Sequence, residues 1–175
     1  MMPQPLIQTF TGLGFNPLAP DPALICIEDV AHSLSMICRF GGHCSRFYSV
    51  AEHSLHVSNL VPQEHALWGL LHDASEAYCG DVLSPLKPFW TQHGEAESRL
   101  TEAIARRFGL PLPIPATVHE ADMAMLAAER EQVMVAAPSV PWSKAGAPAS
   151  VVLECLSPPV AKFRFIERYY LLRSK

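Results

Sequence analysis

Three ionisable side chains directly follow an apolar run near the middle of the chain. His72 and Asp73 are adjacent, Glu76 comes three residues after Asp73, and residues 66–71 before them are mostly apolar. Side chains three and four residues apart share one face of a helix, so these groups would lie at one level. Burying an imidazole and two carboxylates without partners is costly. We therefore expect a bound metal ion or a tight hydrogen-bond network there, and of the two we favour the metal.

Two more polar residues lie inside apolar helical patterns on either side of this stretch. His53 belongs to an apolar stripe in residues 50–61, and Asp122 lies among apolar residues of the segment 116–136. A single helical histidine is usually a core or surface residue, but core packing does not require an adjacent His-Asp pair. Two imidazoles and two carboxylates suit one divalent ion such as Zn, Co, Mn, Fe or Mg. The candidate metal ligands are His53, His72, Asp73 and Asp122.

These residues and their surroundings resemble a known family. The sequence YSVAEHS surrounds His53, and LLHDASEAYCGD contains the central pair. This H…HD…D order, over residues 28–130, resembles the HD-domain metal-dependent phosphohydrolases, and within them the 5′-deoxynucleotidases and deoxynucleoside triphosphate triphosphohydrolases. The resemblance implies an HD-domain helical bundle in which the four candidate ligands bind the metal. It also implies that Glu76 and Asp81 assist the attacking water.

The residue types suit hydrolysis of a phosphoester. That reaction needs a metal to polarise a phosphoryl oxygen, a carboxylate to activate water, and cations to offset the phosphate charge. We assign Glu76 as the general base, while Asp81 either orients the water, protonates the leaving oxygen or only ends a turn. Cationic side chains match phosphate oxygens, and the candidates are Arg39, His43, Arg46 and Lys87. Arg39 ranks first, because it precedes His53 by a distance similar to that of the phosphate-binding arginine in the deoxynucleotidases.

The expected function is hydrolysis of the 5′-phosphoester of a nucleotide. A monophosphate nucleotidase and a triphosphohydrolase such as a dATPase both cleave this bond, and both remain open at this point. The alternative from another class is a non-catalytic metal- or nucleotide-binding module, although a closed structural site needs neither Glu76 nor Asp81. A cyclic-nucleotide or RNA phosphodiesterase would need a second metal set or a basic groove, and the pattern shows neither. We therefore prefer a site with one metal.

Helical periodicity dominates the chain and predicts an all-α fold. Ser49, followed three residues later by Glu52, predicts a helix start, and Gly80 predicts the end of the next helix. The segment 151–156 is compatible with helix or extended chain, and no segment alternates as a strand does. The predicted helices cover residues 27–38, 49–61, 63–79, 94–108, 116–136 and 160–172.

Composition places these helices in a single domain. The chain of 175 residues is 49% hydrophobic and 17% charged, with a net charge of -4. These values favour a globular core and a small nucleotide substrate over a stable nucleic-acid partner. The proline-rich residues 1–24 are predicted to form an extended arm, and residues 25–175 the HD domain. Without a long apolar run we expect no membrane partner and a cytoplasmic location. We also expect a homo-oligomer, since the arm offers contacts to a neighbouring subunit.

Overall fold

The chain folds into a bundle of helices, with one small hairpin at its beginning. A computed structural model describes residues 5–137, 139, 142 and 146–174. Short 3-10 turns cover residues 22–24, 39–42, 63–65 and 87–89. The α-helices are α1 (Ile27–Met36), α2 (Val50–Leu60), α3 (Ala66–Leu71), α4 (Glu76–Cys79), α5 (Thr91–Phe108), α6 (Ala116–Val133) and α7 (Pro158–Arg173). The predicted all-α single domain is confirmed, and in the described part of the chain no helix is long and apolar enough to cross a membrane.

Helix α2 lies between two apolar clusters. On one side, Leu34 of α1 and Phe165 of α7 belong to a buried cluster that also includes Ala51 of α2. On the other side, Val57 of α2 belongs to a second cluster with Met125 of α6. Burial of apolar surface on both sides fixes the helix in place. This matters for the site, because α2 carries His53.

Helices α2 and α3 approach each other closely at Gly69. A Cβ atom built on Gly69 would lie 2.9 Å from the Cα of Ser58. Real Cβ atoms do not come this close to backbone, so a side chain at this position would push the two helices apart. The glycine therefore allows the approach that brings α3, and the residues after it, next to α2.

The predicted helix over residues 63–79 is wrong in one respect, because the structure divides it. A 3-10 turn precedes α3, and residues 72–75 form turns between α3 and α4. In these turns the N–H of Ala74 donates to the carbonyl of Leu71, and the N–H of Glu76 donates to that of Asp73. These bonds span three residues, as in a 3-10 helix, rather than the four of an α-helix. The tightened backbone carries both His72 and Asp73.

Helix boundaries otherwise differ from the predicted ones by a few residues. The predicted cap is confirmed, since the Ser49 hydroxyl accepts from the Glu52 N–H at 3.1 Å. Helix α1 ends at Met36 because the next residues are extended and Cys38 pairs with Ser49 in an isolated antiparallel bridge. Met134 is also extended, which ends α6 three residues before the predicted position.

The described part of the predicted N-terminal arm packs against its own chain. Strands β1 (Ile7–Gln8) and β2 (Gly14–Phe15) form an antiparallel hairpin, which is too short to show alternation in the sequence. Phe15 is fully buried, and its ring centroid lies 4.3 Å from that of Tyr78. The N–H and hydroxyl of Thr11 both donate to the buried Asp29 carboxylate. The hairpin is therefore anchored in the core, while residues 1–4 of the arm lie outside the described part.

A buried carboxylate holds the segment that the sequence left unassigned. Residues 151–157 have no regular secondary structure. The Glu52 carboxylate of α2 accepts hydrogen bonds from the N–H groups of Cys155, at 2.9 Å, and Leu156, at 2.6 Å. Cys155 adopts the left-handed backbone conformation, with φ of 57°. Much of the predicted loop at 138–150 lies outside the described residues.

Candidate metal centre

Three predicted ligands from different parts of the chain meet at one point. His53 comes from α2, His72 from the tightened turn after α3, and Asp122 from α6. The Nε2 atom of His53 lies 3.2 Å from Nε2 of His72 and 3.2 Å from Oδ1 of Asp122. One ligand atom from each residue lies within 4.8 Å of the other two. The arrangement is therefore compact enough to hold a metal ion.

The hydrogen bonds of the two imidazoles leave both Nε2 atoms facing the cluster. Nδ1 of His72 lies 2.8 Å from the carbonyl oxygen of Gly69, which can only accept, so Nδ1 carries the proton. Nδ1 of His53 lies 2.6 Å from Oε1 of Glu129 and donates to that carboxylate. Two Nε2 lone pairs at this separation repel each other unless a proton or a cation lies close to both. The donor set therefore fits a metal ion.

The electrostatics of the cluster also favour a cation. Burial and the nearby Arg39 oppose protonation of His53, but the carboxylates of Glu129 and Asp122 raise its pKa to about 9. A positive charge at the ring is therefore stabilised by its surroundings. His53 is fully buried, whereas the Asp122 side chain is about a third exposed. The cluster thus opens to solvent on the side of α6.

Asp73 lies beside this set without belonging to it. Its Oδ2 atom is 3.3 Å from Nε2 of His72 and 3.7 Å from Nε2 of His53. Burial alone would favour its neutral form, but His72, His53 and Arg39 hold its pKa well below the usual range. The group is therefore an ionised carboxylate next to the cluster, and its predicted role as a fourth ligand stays a prediction.

Glu76 is a buried carboxyl group close to the ligands. It is 5% exposed, and among the described residues no group forms a hydrogen bond with its Oε2 atom. Burial together with the charges of Asp73 and Asp81 raises its pKa well above the usual value. Burial likewise raises the pKa of the half-buried Asp81, against the influence of Arg39. The charges of Glu76, Asp81 and Asp73 thus influence one another, and the catalytic roles of Glu76 and Asp81 stay predictions.

The predicted phosphate ligands do not all reach the cluster. Arg39 lies at the site, with Nη1 3.7 Å from Oδ2 of Asp73. Lys87 Nζ forms an ion pair with Glu97 at 2.9 Å, although its pKa is also raised by more distant carboxylates of the site. His43 and Arg46 are exposed, and in the described structure neither forms an ion pair or side-chain hydrogen bond with the ligand set.

Glu129 is not among the residues predicted from the sequence, and it is fully buried at the back of the cluster. Its Oε2 atom accepts from Nε and Nη2 of Arg39, at 3.1 Å and 2.9 Å. Its Oε1 atom accepts from the Tyr48 hydroxyl at 3.0 Å, in addition to the His53 ring. Glu129 follows Asp122 by seven residues, which is two helical turns on the same face. That spacing on α6 was the available signal.

Comparisons with known proteins place the chain in a family. No family model matches it. It is 41% identical to the uncharacterized protein YfdR of Escherichia coli K12 over 165 residues, which cover 93% of each chain. It is also 33% identical to an uncharacterized protein of Rhodobacter capsulatus over 181 residues, covering 93% of this chain and 92% of the relative. The chain therefore belongs to the protein family that includes YfdR.

Proposed function

We propose that this protein is a metal-dependent phosphohydrolase that cleaves the 5′-phosphoester of nucleotides, releasing nucleoside with phosphate or oligophosphate. The observation that carries the proposal is the meeting of His53, His72 and Asp122 beside the buried carboxyl of Glu76. Ligands and carboxyl come from separated segments in the order that resembles the HD-domain phosphohydrolases. A metal site with a buried acid beside it is typical of hydrolytic enzymes.

The ligand set suits one divalent ion, Zn, Co, Mn, Fe or Mg, held by two imidazoles and at least one carboxylate. Such an ion, when bound, supplies charge to polarise a phosphoryl oxygen and to lower the pKa of a water molecule. Asp122 is partly exposed, so a substrate phosphate has a path to the ligands from the side of α6. A closed structural site would surround the ion with ligands and would leave no such path.

Glu76 is proposed as the general base. Its Oε2 atom has no hydrogen-bond partner in the described structure, so it is available to a water molecule that attacks the phosphorus. The high pKa of this carboxyl, caused by burial and by two neighbouring carboxylates, makes it a better proton acceptor once it is ionised. Asp81, whose pKa is also raised, is proposed to orient the water or to protonate the leaving oxygen.

The cations near the site are proposed to bind the phosphate. Arg39 donates to Glu129 through Nε and Nη2, and its Nη1 atom has no hydrogen bond in the described structure. Nη1 can therefore donate to a phosphate oxygen while the other two atoms keep their partner. Lys87 would have to exchange its contact with Glu97 for a phosphate oxygen. The exchange costs little free energy, because the ion pair between Lys87 and Glu97 is partly exposed to solvent.

A substrate screen tests the proposed function. The purified protein is incubated with nucleoside mono-, di- and triphosphates in the presence of Zn, Co, Mn or Mg. Nucleoside is detected by chromatography and phosphate by malachite green, which separates a nucleotidase from a triphosphohydrolase. Nucleoside release by the wild type, and its loss in Glu76→Gln, would support the proposal. A non-catalytic binding module instead predicts no nucleoside release with any metal.

A further inference from the structure

We propose that Glu129 is a positioning residue for the metal centre, and that it acts through the ring of His53. This inference rests on the proposed metal centre and adds a residue to which the sequence pattern gives no role. Glu129 does not belong to the three-ligand set. It lies behind the His53 ring, on the side opposite the atom that faces His72 and Asp122.

The contacts of Glu129 use both of its oxygens. Oε1 accepts from His53 and from Tyr48, while Oε2 accepts from two nitrogens of Arg39. A carboxylate held from two sides cannot rotate freely, so it presents Oε1 to the imidazole in one direction. Since that oxygen accepts a hydrogen bond from the Nδ1–H group, the ring is held with Nε2 towards the ligand set. A carboxylate behind a ligating histidine also increases the basicity of the ligand.

Arg39 allows the carboxylate to remain ionised in a fully buried position. An unpaired buried charge is strongly destabilising. Here the Arg39 guanidinium donates to Oε2 of Glu129 from Nε at 3.1 Å and from Nη2 at 2.9 Å, so the buried carboxylate is paired with a cation. Arg39 therefore binds a residue of the site, Glu129, in the absence of any phosphate. It acts on His53 through Glu129, and it connects the turn at residues 39–42 to α6.

A purely structural role makes a different prediction. If Glu129 only joined that turn to α6, its replacement would lower the unfolding temperature but would leave the metal affinity of the folded protein unchanged. If Glu129 positions His53, the affinity of the folded protein must fall. Metal affinity measured on folded protein therefore separates the two roles.

The test compares zinc binding by the wild type, Glu129→Gln and Glu131→Gln, using competition with a chromophoric chelator. Glutamine has the size of glutamate, but one end of its amide is a donor. It therefore faces either the His53 N–H or the Arg39 N–H groups with a donor of its own. We expect Glu129→Gln to bind zinc about 10- to 100-fold more weakly. Glu131 is exposed on the same helix, so Glu131→Gln should bind as the wild type does.

A second measurement on the wild type keeps the inference testable if Glu129→Gln does not fold. Long-range 1H–15N spectra of the zinc-loaded protein report which ring nitrogen of His53 carries a proton. We expect a proton on Nδ1, shifted downfield by its bond to the carboxylate. Unchanged zinc affinity in folded Glu129→Gln would overturn the role of Glu129 alone. A proton on Nε2 would overturn that role and also the assignment of Nε2 of His53 as a ligand atom. A wild type that binds neither zinc, cobalt nor manganese would overturn the metal centre and this inference with it.

Discussion

The contact between two imidazole nitrogens is the feature that most directly indicates a cation. Nε2 of His53 and Nε2 of His72 lie 3.2 Å apart, and each ring donates its other N–H to an oxygen. His53 lies in α2 and His72 in the turn after α3, so the local backbone of neither segment forces the two rings into contact. The same residues therefore give the most specific predictions at the scale of single side chains.

Removal of His72 should abolish stabilisation by metal. A ligand present at about 100 times its Kd stabilises the folded state by about 2.7 kcal/mol, which corresponds to a rise in Tm of about 5–10 °C for a chain of this size. We expect this rise for the wild type with the preferred ion and none for His72→Ala. His119→Ala is the control, because His119 is exposed on α6. Differential scanning fluorimetry with and without metal measures the rise in Tm. An equal rise in His72→Ala would contradict the assignment of His72 as a ligand.

Replacement of Glu76 should separate catalysis from metal binding. Glu76→Gln keeps the size of the side chain but removes the proton acceptor, so kcat should fall by about 10²- to 10⁴-fold. Metal affinity should remain close to that of the wild type, because Glu76 is not in the ligand set. Steady-state kinetics beside metal titration give both values, with the exposed Glu64→Gln as control. Full activity in Glu76→Gln would exclude this residue as the base.

At the scale of elements, the close approach of α2 and α3 depends on Gly69. Gly69→Ala would place a methyl group 2.9 Å from the Cα of Ser58, so we expect a loss of about 1–3 kcal/mol in unfolding free energy. Gly94→Ala is the matched control, because it lies within α5 and its added Cβ meets nothing within 4 Å. That change should stabilise by about 0.5–1 kcal/mol. Urea unfolding measures both, and equal effects would contradict the packing argument.

The sequence predicts the helices better than it predicts the turns between them. Apolar periodicity and the Ser49 cap locate α2 closely, because both signals are local. The division of residues 63–79 into α3 and α4 has no local signal, since residues 72–75 contain neither proline nor glycine. Their tightening accompanies the packing of α3 on α2 and the position of His72 in the cluster. The hairpin of residues 7–15 was missed because its strands have two residues each.

The candidate site was predictable where ligands lie in helical patterns. His53, His72 and Asp122 stood out as polar groups among apolar residues, and the structure brings them together. Arg39 was predicted as a phosphate ligand, but its tight pairing with Glu129 connects residues 90 positions apart in the sequence. Such a pair depends on tertiary packing rather than on any spacing in the chain. The role of Arg39 towards phosphate stays a prediction.

At the scale of the whole molecule, Glu52 connects α2 to the segment that leads into α7. Burial opposes its ionisation, but the nearby His56 ring, whose Nε2 lies 3.8 Å from Oε1, and hydrogen bonds from the N–H groups of Leu156 and Cys155 lower its pKa below the usual value. A depressed pKa in the folded state stabilises the fold above the unfolded value of about 4.5, and this contribution is lost as the pH falls through the folded value. Stability should therefore decrease on acidification below about pH 5, in part through Glu52.

Glu52→Gln tests this contribution. The amide cannot accept two strong hydrogen bonds as a carboxylate does, so the variant should lose about 1–3 kcal/mol at pH 7 and show a weaker dependence on acid. Glu154→Gln removes an exposed ion pair with Arg164 and should change stability by less than about 1 kcal/mol. Urea unfolding between pH 4 and 7 measures both. An unchanged pH dependence in Glu52→Gln would contradict the assignment.

The proposed hydrolysis of nucleotides at the metal centre is tested by following nucleoside release. The wild type and His72→Ala are incubated with deoxynucleoside mono- and triphosphates in each of Zn, Co, Mn and Mg, and nucleoside release is followed by chromatography. We expect metal-dependent release of nucleoside by the wild type, suppressed by chelator and absent in His72→Ala. Absence of nucleoside release by the wild type with every metal and nucleotide would contradict the proposal.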